Sequence, residues 1–178
     1  MKSLALAFSL LLVPVAAQTQ SLAQSLAQSQ TQSRAQSLAQ SPDCSLSPSG
    51  WELNTPVTAA ADPATLGQAE LTLGKASHVT LHPASKVRYA VTPERAPDLT
   101  LHGGLVAVTI PAAGNYRVGL SSGAWLDVLK DGKPVASAAH GHGEGCVRKA
   151  VTFFLEPGLV VIQLSGNREA DLRMMVWR

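Results

Sequence analysis

Between residues 69 and 177 the apolar side chains recur at every second position in short runs, and no stretch sustains the three- and four-residue spacing of a capped helix. Ala69, Leu71 and Leu73 alternate with Glu70 and Thr72; Val87, Tyr89 and Val91 with Arg88 and Ala90; Tyr116, Val118 and Leu120 with Arg117 and Gly119. Further strand-like runs lie near 78–82, 99–101, 105–110, 124–130, 147–155, 159–165 and 172–177, with one short turn of helix expected at 62–68. Glycine- and proline-bearing turns separate them, notably Asp131-Gly132, which suits a tight hairpin, and Pro157-Gly158, where glycine takes the left-handed position. A side-chain period of two buries one face of each strand, so about eight to ten such strands predict an all-β, antiparallel β-sandwich or jelly roll.

The remainder of the chain is of another kind. Residues 1–17 have the layout of a signal peptide: Lys2, an apolar run over 4–15, and small residues at Val15-Ala16-Ala17. That run is shorter than the roughly 20 residues that cross a bilayer. Residues 18–41 are of low complexity, with SLAQ repeated at 21–24, 25–28 and 37–40. Serine, alanine and glutamine offer too little apolar area to offset ordering entropy, so the segment reads as a disordered tether, the alternative being a weak helix formed against a partner. Residues 42–178 then form a single domain, and the expected location is periplasmic or secreted. No transmembrane segment follows the signal.

Charge excludes one class of partner. The chain carries 14 Lys and Arg against 12 Asp and Glu, and Lys2 and Arg34 account for the excess. The domain is formally neutral, without the basic surplus of a nucleic-acid surface. Its two cysteines, Cys44 and Cys146, form an even count in an exported chain, which favours a disulfide. The alternative is a reactive or metal-binding thiol.

The chemistry concentrates between Gly114 and Cys146. The strand at 125–129 should pair through the Asp131-Gly132 turn with 134–137, and the return runs into Ala139-His140-Gly141-His142-Gly143-Glu144-Gly145-Cys146. On extended backbone His140 and His142 project to one side, as do His78 and His82 if their strand continues regularly, and imidazoles in an exported protein suit copper or zinc. The competing expectation is loop histidines hydrogen-bonded to backbone. Trp125 and Asp127 alternate on one strand, and with Arg117 they form a candidate ligand-binding set, an indole beside polar groups suiting a sugar or peptide. An indole is also a core residue, and Trp51, Trp125 and Trp177 are expected to be mainly structural. Ser121-Ser122-Gly123 lacks the glycine-flanked elbow of a hydrolase, and the chain has neither a phosphate loop nor a dinucleotide fingerprint.

Two resemblances add to this reading. Gly114-Asn115-Tyr116-Arg117-Val118, with Glu156-Pro157-Gly158 leading into 160–166, resembles the C-terminal jelly-roll modules of secreted bacterial peptidases. Ser122-Gly123-Ala124-Trp125, Asp127-Val128, Asp131-Gly132-Lys133 and the His140-Gly141-His142 run resemble small exported alphaproteobacterial β-sandwich proteins, some of which carry the name homogentisate 1,2-dioxygenase. The second resemblance implies an iron held by His140, His142 and Glu144, although the glutamate follows the second histidine by two residues where cupin enzymes have about four. The favoured reading is a non-catalytic ligand-binding or envelope accessory protein whose partner is a small molecule, a glycan or an envelope protein. The runner-up is a metal-binding protein or metal-dependent dioxygenase holding copper, zinc or iron at His140, His142 and Glu144.

Overall fold

The computed structural model describes residues 43–178; the expected signal peptide and tether lie outside the described residues. Twelve strands follow in order: β1 (Thr55–Thr58), β2 (Glu70–Leu71), β3 (Ser77–Thr80), β4 (His82–Pro83), β5 (His102–Ile110), β6 (Gly114–Leu120), β7 (Trp125–Lys130), β8 (Lys133–Pro134), β9 (Ser137–Gly141), β10 (Lys149–Leu155), β11 (Gly158–Asn167) and β12 (Asp171–Trp177). They form two sheets. One runs β1-β3-β12-β6-β10-β9, and the other β2-β5-β11-β7-β8 with β4 beside β5. The expected β-sandwich is therefore the fold, and among the described residues no helix is long and apolar enough to cross a membrane.

From β5 onward the chain changes layer at nearly every connection, staying within one sheet only for the β7–β8 and β9–β10 hairpins. Each crossing keeps the inward residues of both layers on one core. Val118, Leu120, Val151, Phe153, Leu155, Met174 and Val176 meet Val106, Val108, Ile110, Leu126, Val128, Val160, Ile162 and Leu164, all buried. The longest ladder sets Gly158 opposite Ile110 and continues to Leu164 opposite Gly104. At about 25 cal/mol per Å² of apolar area, a core of this kind supplies the main term that opposes chain entropy.

Three expectations change against this frame. The sandwich is mixed, because β1 pairs parallel with β3 and β2 parallel with β5. Parallel neighbours need a long crossover, and residues 59–76 supply one that includes the short 3₁₀ helix Pro63–Gln68, expected from sequence and capped by the Asp62 side chain on the Ala64 amide at 2.8 Å. The alternating runs at 87–91 and 99–101 are not strands. The first packs as an irregular cover, where the Tyr89 hydroxyl donates to the Leu164 carbonyl at 3.1 Å and the buried Gln163 amide side chain both accepts from the Val91 N–H and donates to its carbonyl, whereas Leu99 of the second is exposed. The run at 78–82 breaks at Leu81, so His78 stands on β3 in one sheet and His82 on β4 in the other.

A second, smaller cluster lies on the outer face of the β6-bearing sheet, where Trp51, Ala76, Val147 and Met175 are buried with Trp177 against them. Cys44 and Cys146 form a disulfide, with Cα atoms 4.8 Å apart, that ties the segment beginning the domain to the β9–β10 connection over this cluster. Glycine is required at position 119, since a Cβ there would stand 2.6 Å from the Trp177 ring.

Candidate functional site

The turn that shapes the site is the one expected at Asp131-Gly132. Both residues have positive φ, 51° and 74°, which aspartate and glycine tolerate, and they close a two-residue hairpin with Lys130 opposite Lys133 and Leu129 opposite Pro134. One further rung follows, from the Val135 N–H to the Val128 carbonyl at 2.8 Å. The chain then leaves for the other sheet, where Ser137 stands opposite Phe153.

This departure opens a cleft of about 610 Å³ alongside the first half of β7. Its lining comes from both sides of that strand. Leu126 and Val128 face the interior with Val151 and Phe153 of the opposite sheet, while Trp125 and Asp127 lie on the other face of the strand and line the cleft with Thr92 and Glu94; Ala136, Ser137 and His140 complete the lining. Apolar walls with a few convergent polar groups are the ordinary make-up of a ligand site.

The polar groups are held by one another. The Trp125 indole N–H donates to an Asp127 carboxylate oxygen at 2.9 Å. Lys149 reaches from β10 across the opening: its ammonium donates to the Ala124 carbonyl at 2.9 Å and lies 5.1 Å from the centre of the Trp125 ring, a cation–π distance. Burial pushes the Lys149 ammonium below the ordinary lysine value, and the Asp127 carboxylate opposes that shift. Burial, and secondarily the same carboxylate, raise the Tyr89 phenol. Asp127 thus bears on both neighbours, second to burial.

The expected ligand-binding set is divided. Trp125 and Asp127 line this cleft, whereas Arg117 lies on the outer face of the other sheet, opposite Thr152 on one neighbouring strand and Trp177 on the other. There it borders a smaller groove of about 280 Å³ together with His140, His142 and Glu144. His140 touches both depressions because its edge strand separates them.

The expected metal donors share that groove, yet among the described residues no three His, Cys, Asp or Glu side chains are gathered so as to hold a metal ion. Most of the histidines are hydrogen-bonded elsewhere. His140 Nε2 is 3.1 Å from the Ser137 hydroxyl, His82 Nε2 is 2.7 Å from the Ala59 carbonyl, and His102 Nδ1 is 3.1 Å from the Arg168 carbonyl. His78 is 3.7 Å from the Asp171 carboxylate. Cys146, being in the disulfide, is no donor.

Sequence reasoning missed Lys149 and Gln163. The signal for each was present: a lysine on the same alternation as Val151, Phe153 and Leu155, and an amide within the apolar run 159–165. Lys149 shares the core-facing period of β10, whereas Gln163 lies on the opposite face of β11 from Val160, Ile162 and Leu164, covered by Val91; buried polar groups need partners, and both have them.

No protein-family model matches the chain, and no curated protein does. Among solved structures the chain is similar to the pre-peptidase C-terminal domain of a collagenase from Bacillus anthracis, at 11% identity and a TM-score of 0.37, over 60% of this chain and 91% of that one.

Proposed function

We propose that the protein is an exported, non-catalytic binding module whose ligand enters the cleft beside β7. The observation that supports this reading is the cleft's composition: half-buried Val91, Val135 and the Trp125 ring offer apolar area above a floor of Val128, Val151 and Phe153, and Trp125, Asp127 and Lys149 are fixed at its mouth by mutual contacts. Groups already oriented by neighbours lose little freedom when a ligand arrives, so more of the contact energy appears as affinity. The disulfide suits an oxidising compartment.

The test is a glycan and peptide array probed with the full chain, with Trp125→Ala and Ala136→Trp in parallel. Ala136 is exposed on the cleft rim, so tryptophan there fills the opening without entering the core. Signals lost in both variants support the assignment. Signals that persist unchanged in both, or an array silent for all three proteins, refute it.

A further inference from the structure

A continued β7–β8 hairpin would follow one register. Lys130 faces Lys133, Val128 binds Val135, and the next residue whose backbone groups point away from β11, Leu126, would face residue 137. Ser137 instead stands opposite Phe153 in the other layer. In an antiparallel ladder the N–H and C=O of one residue point to the same side, and alternate residues share that side. The Val135–Val128 bond therefore shows that Leu126 also directs its amide and carbonyl away from β11. Among the described residues no strand takes up that rung. The cleft lies there and lines both faces of β7, as the space left by a missing neighbour strand must.

Resting on the binding-module reading, we infer that the occupant is an extended peptide that adds to β7 at Leu126 and takes the place the chain gives up after Val135. Main-chain pairing holds such a strand, and its alternate side chains take opposite directions. The residue opposite Leu126 shares its inward face, so that side chain turns onto the cleft floor formed by the nearly buried Leu126, Val128, Val151 and Phe153 and is apolar. The residues on either side point outward to Asp127 and Glu94. Two carboxylates, Asp127 and Glu94, stand against the single Lys149 ammonium, which is turned to the Ala124 carbonyl, so the outward wall is net acidic and favours lysine or arginine. The ligand chemistry is thus a basic-apolar-basic strand.

The probe is an acetylated, amidated pentapeptide of alternating lysine and valine, titrated into the full chain and followed through the amide NMR signals. Leu126 should shift and gain protection from hydrogen exchange. N-methylating both valines removes the N–H that pairs and should weaken binding about tenfold or more, while N-methylating the three lysines, whose amides point away, should leave it within about twofold. Equal binding by the two methylated peptides, or an unmodified peptide that leaves Leu126 unmoved, overturns strand addition. The two readings fail separately. Should Ala136→Trp abolish array binding while the methylated peptides bind alike, or while only glycans bind, the cleft remains the site and its occupant is not a strand. Should Ala136→Trp bind as the wild type does, the cleft itself is refuted.

Discussion

The disulfide offers the sharpest quantitative test, and the perturbation is Cys44→Ser with Cys146→Ser. The bridge closes a loop with a sequence separation of 102 residues. The chain-entropy relation assigns a loop of that size about 16 cal/mol/K, or about 4.7 kcal/mol at 25 °C. The folded state should change little, because other bonds also hold the first segment of the domain in place. The Cys146 N–H donates to the Ser47 hydroxyl at 2.9 Å, the Ala76 N–H to the Gly50 carbonyl at 2.9 Å, and the Arg173 guanidinium to the Trp51 carbonyl at 3.3 Å. Trp51 itself is only 2% exposed. The loss therefore falls on the unfolded ensemble. Equilibrium urea unfolding should show about 4.7 kcal/mol less stability, out of the roughly 5–15 kcal/mol of an ordinary domain. For a unit of about 140 residues this lowers Tm by about 16 °C. Near-UV circular dichroism of the native variant should match the wild type. A loss below about 2 kcal/mol with unchanged slope refutes the entropic account. A native near-UV spectrum that collapses shows that the bridge, and not the packing of Trp51, holds the cover in place.

Other substitutions test single contacts. Gly119→Ala sets a methyl 2.6 and 2.8 Å from Trp177 ring carbons and 3.0 Å from Val147, and should cost about 1–3 kcal/mol by thermal unfolding, whereas Gly141→Ala, with nothing within 4 Å, should be near neutral. Lys149→Met should remove a rising contribution to stability on the alkaline side, so that stability falls more steeply with pH than in the wild type. The folded Lys149 value lies below the unfolded one, so the unfolded chain binds the extra proton between them, and wild-type stability from this group rises with pH across that window. Tyr89 acts in the opposite sense: its folded value is raised, so its contribution falls as pH climbs above about 10 and is absent in Tyr89→Phe. Gln163→Leu should cost about 1–3 kcal/mol by leaving both the Val91 N–H and carbonyl unpaired beneath the cover, and a neutral result would mean that water satisfies them.

The elements that could be read from sequence are those whose alternation is enforced by a ladder on both sides. β5, β6, β7, β10, β11 and β12 all lie inside a sheet, and each was visible as a run of apolar residues with a turn signal at its end. The run at 87–91 has the same alternation without the ladder, because Tyr89 and Val91 pack against one face as strand residues would while the Val91 backbone is satisfied by the Gln163 side chain. Periodicity reports which side chains are covered and is silent about what the backbone is bonded to. The parallel edges escaped for a related reason: parallel and antiparallel neighbours impose the same period of two.

The candidate site shows the same limit from the other side. Trp125 and Asp127 could be paired from their i, i+2 spacing, and the structure joins them directly. Arg117 could not be excluded from their company, because whether residues of β6 and β7 meet depends on the layer change at 121–124. The layer change after Val135 is harder still to anticipate. Pro134-Val135-Ala136-Ser137 contains no glycine, and its only marker is a return strand that begins apolar at Val135 and turns small and polar by Ser137. A hairpin arm that loses its apolar inward residues partway has no reason to stay over the core. That loss of pattern draws the chain to the other sheet, and the same step leaves Leu126 with a rung to fill.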